Sequence, residues 1–252
     1  MVEQTASRYL AVVDEALPGF VEKLYLTGSV ALGAYQPGAS DIDTLIVTSR
    51  HATDDDLGIL ADLHAARAGR PHLDGVYLDR ETLIRQPSEQ QVVPFVVDGE
   101  FRTGRPCGEL NPVLWLLLTR YGIPVRGPSV ADLGLTVDYE ALRRYNLGNL
   151  ETYWAPGAEP LRTTDTVQPE AIAWCVLGPA RLHFTLAHHD VVSKAGAAAY
   201  LGELFPEYAD VAARAVRWRR GEPVVFTSAD AHTVADSIDA VVADAHHRWG
   251  SA

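Results

Sequence analysis

The stretch LTGSVALGAYQPGASDIDTL, residues 26–45, contains the pattern that decides the fold of this 252-residue chain. An apolar strand ends in Gly28-Ser29, eleven residues intervene, and Asp41-Ile42-Asp43 then leads into a second apolar strand. Glycine lets a backbone approach a ligand closely, and backbone amides beside a hydroxyl can hold phosphate oxygens. The pattern therefore predicts a phosphate-binding turn between two strands, and Gly33 allows a second close approach.

Two carboxylates follow this turn. Residues i and i+2 of a strand point to the same face, so Asp41 and Asp43 are expected to project together. Two carboxylates that close repel each other unless a cation lies between them, and Mg²⁺ takes its ligands from carboxylates and substrate phosphates. A lone Asp-x-Asp is usually a solvated strand end. Here the Asp-x-Asp pair follows a strand and a Gly-Ser turn, and this combination is specific. The combination predicts a magnesium site.

The first half of the chain alternates predicted helices and strands. The periodicity predicts helices over Gln4–Leu17, from Thr53 onwards, and from Asn111-Pro112 to Gly122, with strands over Val21–Thr27, Ile42–Thr48 and Leu73–Leu78. Strands come first and helices later. This order predicts an α+β protein, in which a mixed sheet flanked by helices is followed by an all-α helical C-terminal domain.

The second half is predicted to be helical. Residues 155–170, rich in Pro, Gly and Thr, are the predicted hinge between a domain of residues 1–154 and a helical domain of residues 155–252. The predicted helices are one capped by Asp138 that runs to about Trp154, followed by Pro169–His188, Ser193–Leu204, Glu207–Arg220 and Ser228–Trp249.

The composition limits the possible partners and the location. The net charge of −12 argues against binding to long nucleic acids, which requires a basic face, and would attract a cationic small molecule. The alternative explanation is that a net charge of this size serves solubility alone. No apolar run approaches the ~20 residues of a membrane span, and the N-terminal segment lacks the features of a signal peptide. The two cysteines, Cys107 and Cys175, are not expected to form a disulfide framework. We therefore expect a cytoplasmic protein, with a monomer favoured.

Residues 26–45 resemble the motif of the DNA polymerase β-type nucleotidyltransferase superfamily. The chain is more narrowly similar to the aminoglycoside adenylyltransferases that modify streptomycin and spectinomycin. LGPARLHFTLAHHDVVSKAGAAAYLGELFPEY, residues 177–208, resembles the second-domain signature of that family, in which an arginine and a lysine thirteen positions later reach the phosphates of ATP. Arg181 and Lys194 have this spacing.

The resemblance implies an N-terminal polymerase β-like nucleotidyltransferase domain and transfer of AMP from ATP to a hydroxyl, with Mg²⁺ as the metal and antibiotic resistance as the setting. It makes Asp41 and Asp43 catalytic metal ligands. The implied nucleotide-binding residues are Gly28, Ser29, Ser40, Arg181 and Lys194.

The resemblance also implies a third carboxylate, a Glu on the third core strand that acts as general base or metal ligand. The corresponding strand here is LDGVYL, residues 73–78, which makes Asp74 the predicted residue. Asp74 is shorter than the family's Glu by one methylene group. Asp79 and Glu81, near the end of the same strand, remain alternatives.

The resemblance also implies an acceptor site. In the streptomycin-modifying relatives, a tryptophan in the interdomain hinge and an acidic residue five positions later contact the drug. Trp154 and Glu159 have this spacing, and Glu170 is what remains of an acidic cluster before the next helix. An aromatic wall and acids would suit a cationic sugar. Trp154 is equally well explained as a core aromatic residue.

Three functions remain open from the sequence. The first is adenylylation of a small cationic or polyol acceptor such as an aminoglycoside. The second keeps the chemistry but modifies a protein or a metabolite. The third is a non-catalytic, antitoxin-like module that only holds a nucleotide, although a degenerate copy would be free to lose Gly28, Ser29, Asp41 and Asp43, which are all present.

Overall fold

The computed structural model describes residues 1–67, 69–164 and 166–250. The chain forms two compact units, Met1–Asp138 and Tyr139–Ala252. The division lies before the boundary predicted after Trp154. The reason is that helix α6 (Tyr139–Asn149) and the π-helical turn Leu150–Trp154 bury Leu147, Leu150 and Trp154 in the core of the second unit.

A mixed sheet organises the first unit. Its described strands are β1 (Val21–Leu26), β2 (Ile42–Thr48), β3 (Leu73–Asp79), β4 (Phe95–Val97), β5 (Glu100–Arg102) and β6 (Ile123–Arg126). Their order is β5-β4-β3-β2-β1-β6. The central strands β2 and β3 run parallel, and each other neighbouring pair is antiparallel. The predicted α+β class is confirmed.

Helices cover both faces of this sheet. They are α1 (Val2–Ala16), α2 (Gly28–Ala31), α3 (Asp54–Ala65), α4 (Arg80–Leu83) and α5 (Pro112–Tyr121). Helix α3 begins where predicted, because the Thr53 hydroxyl accepts a hydrogen bond from the backbone N–H of Asp56 (3.3 Å). Residues of α1 and α3 pack in one apolar cluster with alternate strand residues, and residues of α5 pack in a second cluster with the others.

The second unit contains helices joined by short connections, and no strand occurs among its described residues. After α6 and the π-helical turn come a 3-10 turn (Ala155–Gly157), α7 (Ala158–Thr163), α8 (Pro169–His188), α9 (Lys194–Leu204), α10 (Ala209–Arg219) and α11 (Ser228–Trp249). The predicted hinge is thus largely helical, because Ala158 and Leu161 are buried in the core, and its residue 165 lies outside the described residues. Across the described part of the chain, we find no helix with the length and apolar character that crossing a membrane requires.

Candidate active site

Two carboxylates face each other at the start of the central parallel strands. Asp43 of β2 and Asp74 of β3 are paired in the register of the sheet. Alternate residues share a face, and Leu45 and Val76 pack in the same apolar cluster as Trp115 of α5. Asp43 and Asp74 therefore lie on the sheet face that α5 covers.

The Gly28 turn lies directly against Asp43. A β-carbon added at Gly28 would lie 1.7 Å from Oδ2 of Asp43, and Gly28 has a φ of +54°. The backbone N–H of Thr27 donates to the Asp43 carbonyl (2.9 Å), and the backbone N–H of Ser29 donates to the Asp43 carboxylate. Only glycine allows the phosphate-binding turn and the carboxylate to come this close.

Asp43 lies in a strongly electronegative environment. Burial and, after it, the negative charges of Asp74, Glu109 and Asp41 raise the pKa of its carboxyl group to about 6. The N–H of Ser29 works in the opposite direction. A cation bound among these carboxylates would relieve the repulsion that the fold concentrates here.

The carboxylate of Asp74 is held by a tight turn. Strands β4 and β5 are joined at Asp98-Gly99, whose φ angles of +54° and +74° are typical of a two-residue hairpin. The backbone N–H of Asp98 donates to Oδ2 of Asp74 (2.9 Å), and that of Gly99 donates to Oδ1 (3.0 Å). Burial raises the pKa of Asp74 even though these two N–H groups lower it. The side chain is therefore fixed in orientation but remains partly desolvated.

Asp41 lies just before β2 and has different partners from Asp43. Its Oδ1 accepts a hydrogen bond from the backbone N–H of His72 (3.2 Å) and lies 3.5 Å from both His72 Nδ1 and Arg70 Nη1. One ligand atom each from Asp41, His72 and Asp74 lie within 4.8 Å of one another. The structure thus groups Asp41 with Asp74 and with a histidine that the sequence alone did not single out.

Glu109 is a second residue that the sequence analysis missed. It lies between Cys107 and Leu110, which are buried in the same apolar cluster as Trp115. Although Glu109 is exposed as a whole, desolvation of its carboxyl group raises its pKa, and the charges of Asp74 and Asp98 add to the effect. Sequence offers no signal for this carboxylate, because only the packing of the segment before α5 brings it to the site.

The alternatives to Asp74 lie elsewhere. Asp79 is paired with Thr48 at the far end of β3, where its Oδ1 accepts a hydrogen bond from the N–H of Thr82 (2.7 Å) and caps α4. Glu81 is exposed and forms an ion pair with Arg85. Because Asp74 lies beside Asp43, it is favoured over Asp79 and Glu81 as the third carboxylate.

The two predicted serines have different roles in the loop. Ser40 Oγ accepts a hydrogen bond from the backbone N–H of Gln36 (3.1 Å), which closes the loop that precedes the carboxylates. Ser29 Oγ is buried and has no hydrogen-bond partner among the described residues. A buried hydroxyl without a partner beside Asp43 fits a site that holds a phosphate oxygen.

Arg181 and Lys194 lie in the second unit. Arg181 of α8 donates from Nε to the carbonyl of Val192 (3.2 Å), and thus contacts the segment that leads to Lys194. Ser193 caps α9, since its Oγ accepts a hydrogen bond from the N–H of Gly196 (3.1 Å). Lys194, the first residue of α9, has its Nζ 5.5 Å from the ring centroid of Trp174.

The residues predicted to contact the acceptor differ in exposure. Trp154 is only 6% exposed and packs in the core of the second unit, where its ring occupies the space beside Gly178. Glu159 and Glu170 are exposed. Two exposed aromatic residues lie nearby, Tyr153 and Trp174, whose ring centroids are 5.0 Å and 5.5 Å from that of Trp154. Packing therefore accounts for Trp154.

Residues 7–96 match the family model described as a nucleotidyltransferase domain. This range includes the Gly28 turn, Asp41, Asp43 and Asp74. No curated protein matches the chain in sequence.

Among solved structures, the chain resembles a spectinomycin adenyltransferase, AAD(9) from Enterococcus faecialis, crystallised with ATP and spectinomycin. The likeness covers 95% of this chain and 98% of that chain, with a TM-score of 0.71 and 15% sequence identity. The predicted resemblance to aminoglycoside adenylyltransferases is confirmed at the level of the fold.

Proposed function

We propose that the protein is a metal-dependent nucleotidyltransferase that transfers AMP from ATP to a hydroxyl group of an aminoglycoside or a similar polyol. The observation that carries this proposal is the convergence of Asp41, Asp43 and Asp74 beside the Gly28-Ser29 turn. The match of residues 7–96 to the nucleotidyltransferase domain supports the reaction class, and the solved adenyltransferase of the same fold supports ATP as the donor.

The residues present fit a divalent metal ion. Asp41, Asp43 and Asp74 supply hard oxygen ligands of the kind that Mg²⁺ prefers. The pKa of Asp43 is raised by burial and by the negative charges of its neighbours, and a bound cation would offset both effects. Such an ion would neutralise the charge that develops on the phosphates during transfer. The orphaned hydroxyl of Ser29 next to Asp43 is suited to a phosphate oxygen.

Asp74 is proposed as the general base. The acceptor oxygen forms a bond to the α-phosphorus as the bond to the bridging oxygen breaks and pyrophosphate leaves, while the hydroxyl proton passes to the Asp74 carboxylate. Burial raises the pKa of Asp74, which makes it a stronger base than a solvated aspartate. The N–H groups of Asp98 and Gly99 hold it in one orientation.

We assign Arg181 and Lys194 to the phosphates of ATP, as the resemblance implies. Their placement supports this, because Arg181 contacts the segment before Lys194 and Lys194 begins helix α9, whose positive end favours an anion.

The acceptor is proposed to be cationic or rich in hydroxyls. The net charge of −12 attracts amines, and Glu159 and Glu170 remain exposed for contact with them. The structurally similar adenyltransferase was crystallised with spectinomycin, an acceptor of this class.

The test is incubation of the protein with Mg²⁺, ATP labelled at the α-phosphate and a panel of aminoglycosides, with parallel samples that contain a protein extract or a metabolite extract. We expect label on at least one aminoglycoside, identified by a mass increase of one AMP group, and none with Asp41→Asn or Asp43→Asn. Label found only in the protein or metabolite sample would show that the acceptor is a protein or a metabolite and not an aminoglycoside. No label in any sample would overturn the proposal.

A further inference from the structure

His72 lies within the carboxylate cluster rather than beside it. An imidazole nitrogen of His72 and one oxygen each of Asp41 and Asp74 lie within 4.8 Å of one another. The Nδ1 atom of His72 is buried and has no hydrogen-bond partner in the described part of the chain, although Oδ1 of Asp41 is 3.5 Å away. A buried ring nitrogen in this state offers a lone pair to a ligand.

The imidazole ring is held in place by the hairpin that also holds Asp74. A β-carbon at Gly99 would lie 3.1 Å from Cδ2 of His72, so the ring packs directly against the turn. The backbone of His72 is fixed as well, since its N–H donates to Asp41 and its carbonyl accepts from Ile42 (2.8 Å). One turn therefore orients both His72 and Asp74 toward the same point.

A nitrogen ligand changes which metal a site prefers. Mg²⁺ is a hard ion that takes oxygen ligands almost exclusively, whereas divalent transition metals accept imidazole readily. Two ligands at adjacent positions around a divalent ion are about 3 Å apart, given metal–ligand distances near 2.1 Å. The separation of 3.5 Å between His72 Nδ1 and Asp41 Oδ1 is close to this value.

We propose that His72 is a direct ligand of the metal ion and that the site prefers a divalent transition metal such as Mn²⁺ to Mg²⁺. This inference rests on the proposed function, because the metal is the one that would serve nucleotidyl transfer. Asp41, Asp43 and Asp74, the carboxylates of the proposed metal site, complete the ligand set.

The first test uses the metal alone. Mn²⁺ is added to the full-length protein without nucleotide, and electron spin-echo envelope modulation is recorded. We expect modulation from a directly bound nitrogen, which changes when the protein is grown with histidine labelled with ¹⁵N in the ring. Bound Mn²⁺ without nitrogen modulation in the wild-type protein overturns the inference, and this result does not depend on any variant folding.

The second test compares His72→Ala and His72→Asn with His51→Ala. His51 is a matched control, because it also contacts a carboxylate, Oδ2 of Asp79 (3.2 Å), but at the far end of β3. We expect the His72 variants to lose nitrogen modulation and to bind Mn²⁺ roughly tenfold or more weakly, while Mg²⁺ affinity changes little. His51→Ala should behave as wild type. An unchanged ratio of Mn²⁺ to Mg²⁺ affinity in both His72 variants contradicts the inference.

The two proposals fail separately. AMP transfer with Mg²⁺ but no nitrogen modulation from bound Mn²⁺ removes His72 from the metal site and leaves the function standing. Nitrogen modulation that disappears in His72→Ala, with no transfer to any acceptor, retains the metal site and overturns the function.

Discussion

Gly28→Ala tests whether close contact between the phosphate-binding turn and Asp43 is what the reaction needs. The added β-carbon would lie 1.7 Å from Oδ2, 2.5 Å from Cγ and 2.8 Å from the β-carbon of Asp43. Rotation of the carboxylate alone cannot relieve three such contacts. Because real β-carbons essentially never approach closer than 3.0 Å, the turn and Asp43 must separate by more than 1 Å.

The expected loss follows from this displacement. A misplacement of about 1 Å among reacting groups costs roughly 100-fold in rate. The left-handed backbone at Gly28, with its φ of +54°, adds about 1–2 kcal/mol of strain for any residue with a β-carbon. Turnover should therefore fall about 100-fold, while the free energy of unfolding falls by this strain together with the ~1–3 kcal/mol that overpacking costs.

Gly19→Ala separates strain from displacement. Gly19 has a φ of +71°, and among the described residues nothing lies within 4 Å of its added β-carbon. AMP transfer to a substrate identified from the aminoglycoside panel is measured beside urea unfolding for both variants. We expect Gly19→Ala to lose only the stability that backbone strain costs, and we expect a loss of turnover in Gly28→Ala alone. Near-normal turnover of Gly28→Ala, or an equal loss in Gly19→Ala, would refute the reasoning.

Four further predictions concern charged groups. Asp74→Asn should lower turnover by ~10²–10⁴-fold with ATP affinity nearly unchanged by isothermal titration, whereas Asp74→Glu should keep appreciable activity. In metal-free protein, the raised pKa of Asp43 gives stability below about pH 4 that is lost as the pH rises through about 6. Asp43→Asn should therefore raise the free energy of unfolding in urea by up to roughly 3 kcal/mol above pH 6, and should leave it unchanged at pH 4. Asp56→Asn should instead destabilise at pH 7 and lose its effect in acid, because Arg50 holds the pKa of Asp56 well below its usual range. Arg181→Ala and Lys194→Ala should each weaken binding of a non-hydrolysable ATP analogue by ~1.5–3 kcal/mol, and unchanged affinity in both contradicts their assignment.

Periodic patterns predicted most of the fold. Helices α8 and α11 begin and end within a residue of their predicted bounds, and β2 matches its prediction, because continuous apolar runs and capping residues act locally. The β4–β5 hairpin was missed, although Asp98-Gly99 between FVV and EFR is a strong hairpin signal. Its strands are only three residues long, too short to show alternation.

The candidate site was predictable only in part. Asp43 and Asp74 could be placed because each begins a strand that sequence patterns reveal. The grouping of His72 with Asp41 depends on the pairing of two strands and on a turn that packs against the imidazole ring, and a single histidine carries no sign of either. Trp154 illustrates the opposite problem, because its spacing to Glu159 suggested a binding role and its burial gives it a packing role.

The site is built from opposing constraints on neighbouring strands. Asp43 is held by the Gly28 turn on one side, and Asp74 is held by the Asp98-Gly99 turn on the other, each through backbone N–H groups. Backbone N–H groups stabilise a buried carboxylate without neutralising it, so the pKa values of both aspartates stay raised and the repulsion between them persists. The fold can therefore keep two adjacent acids in fixed positions while leaving their charge unbalanced, which is the condition that favours binding of a divalent cation.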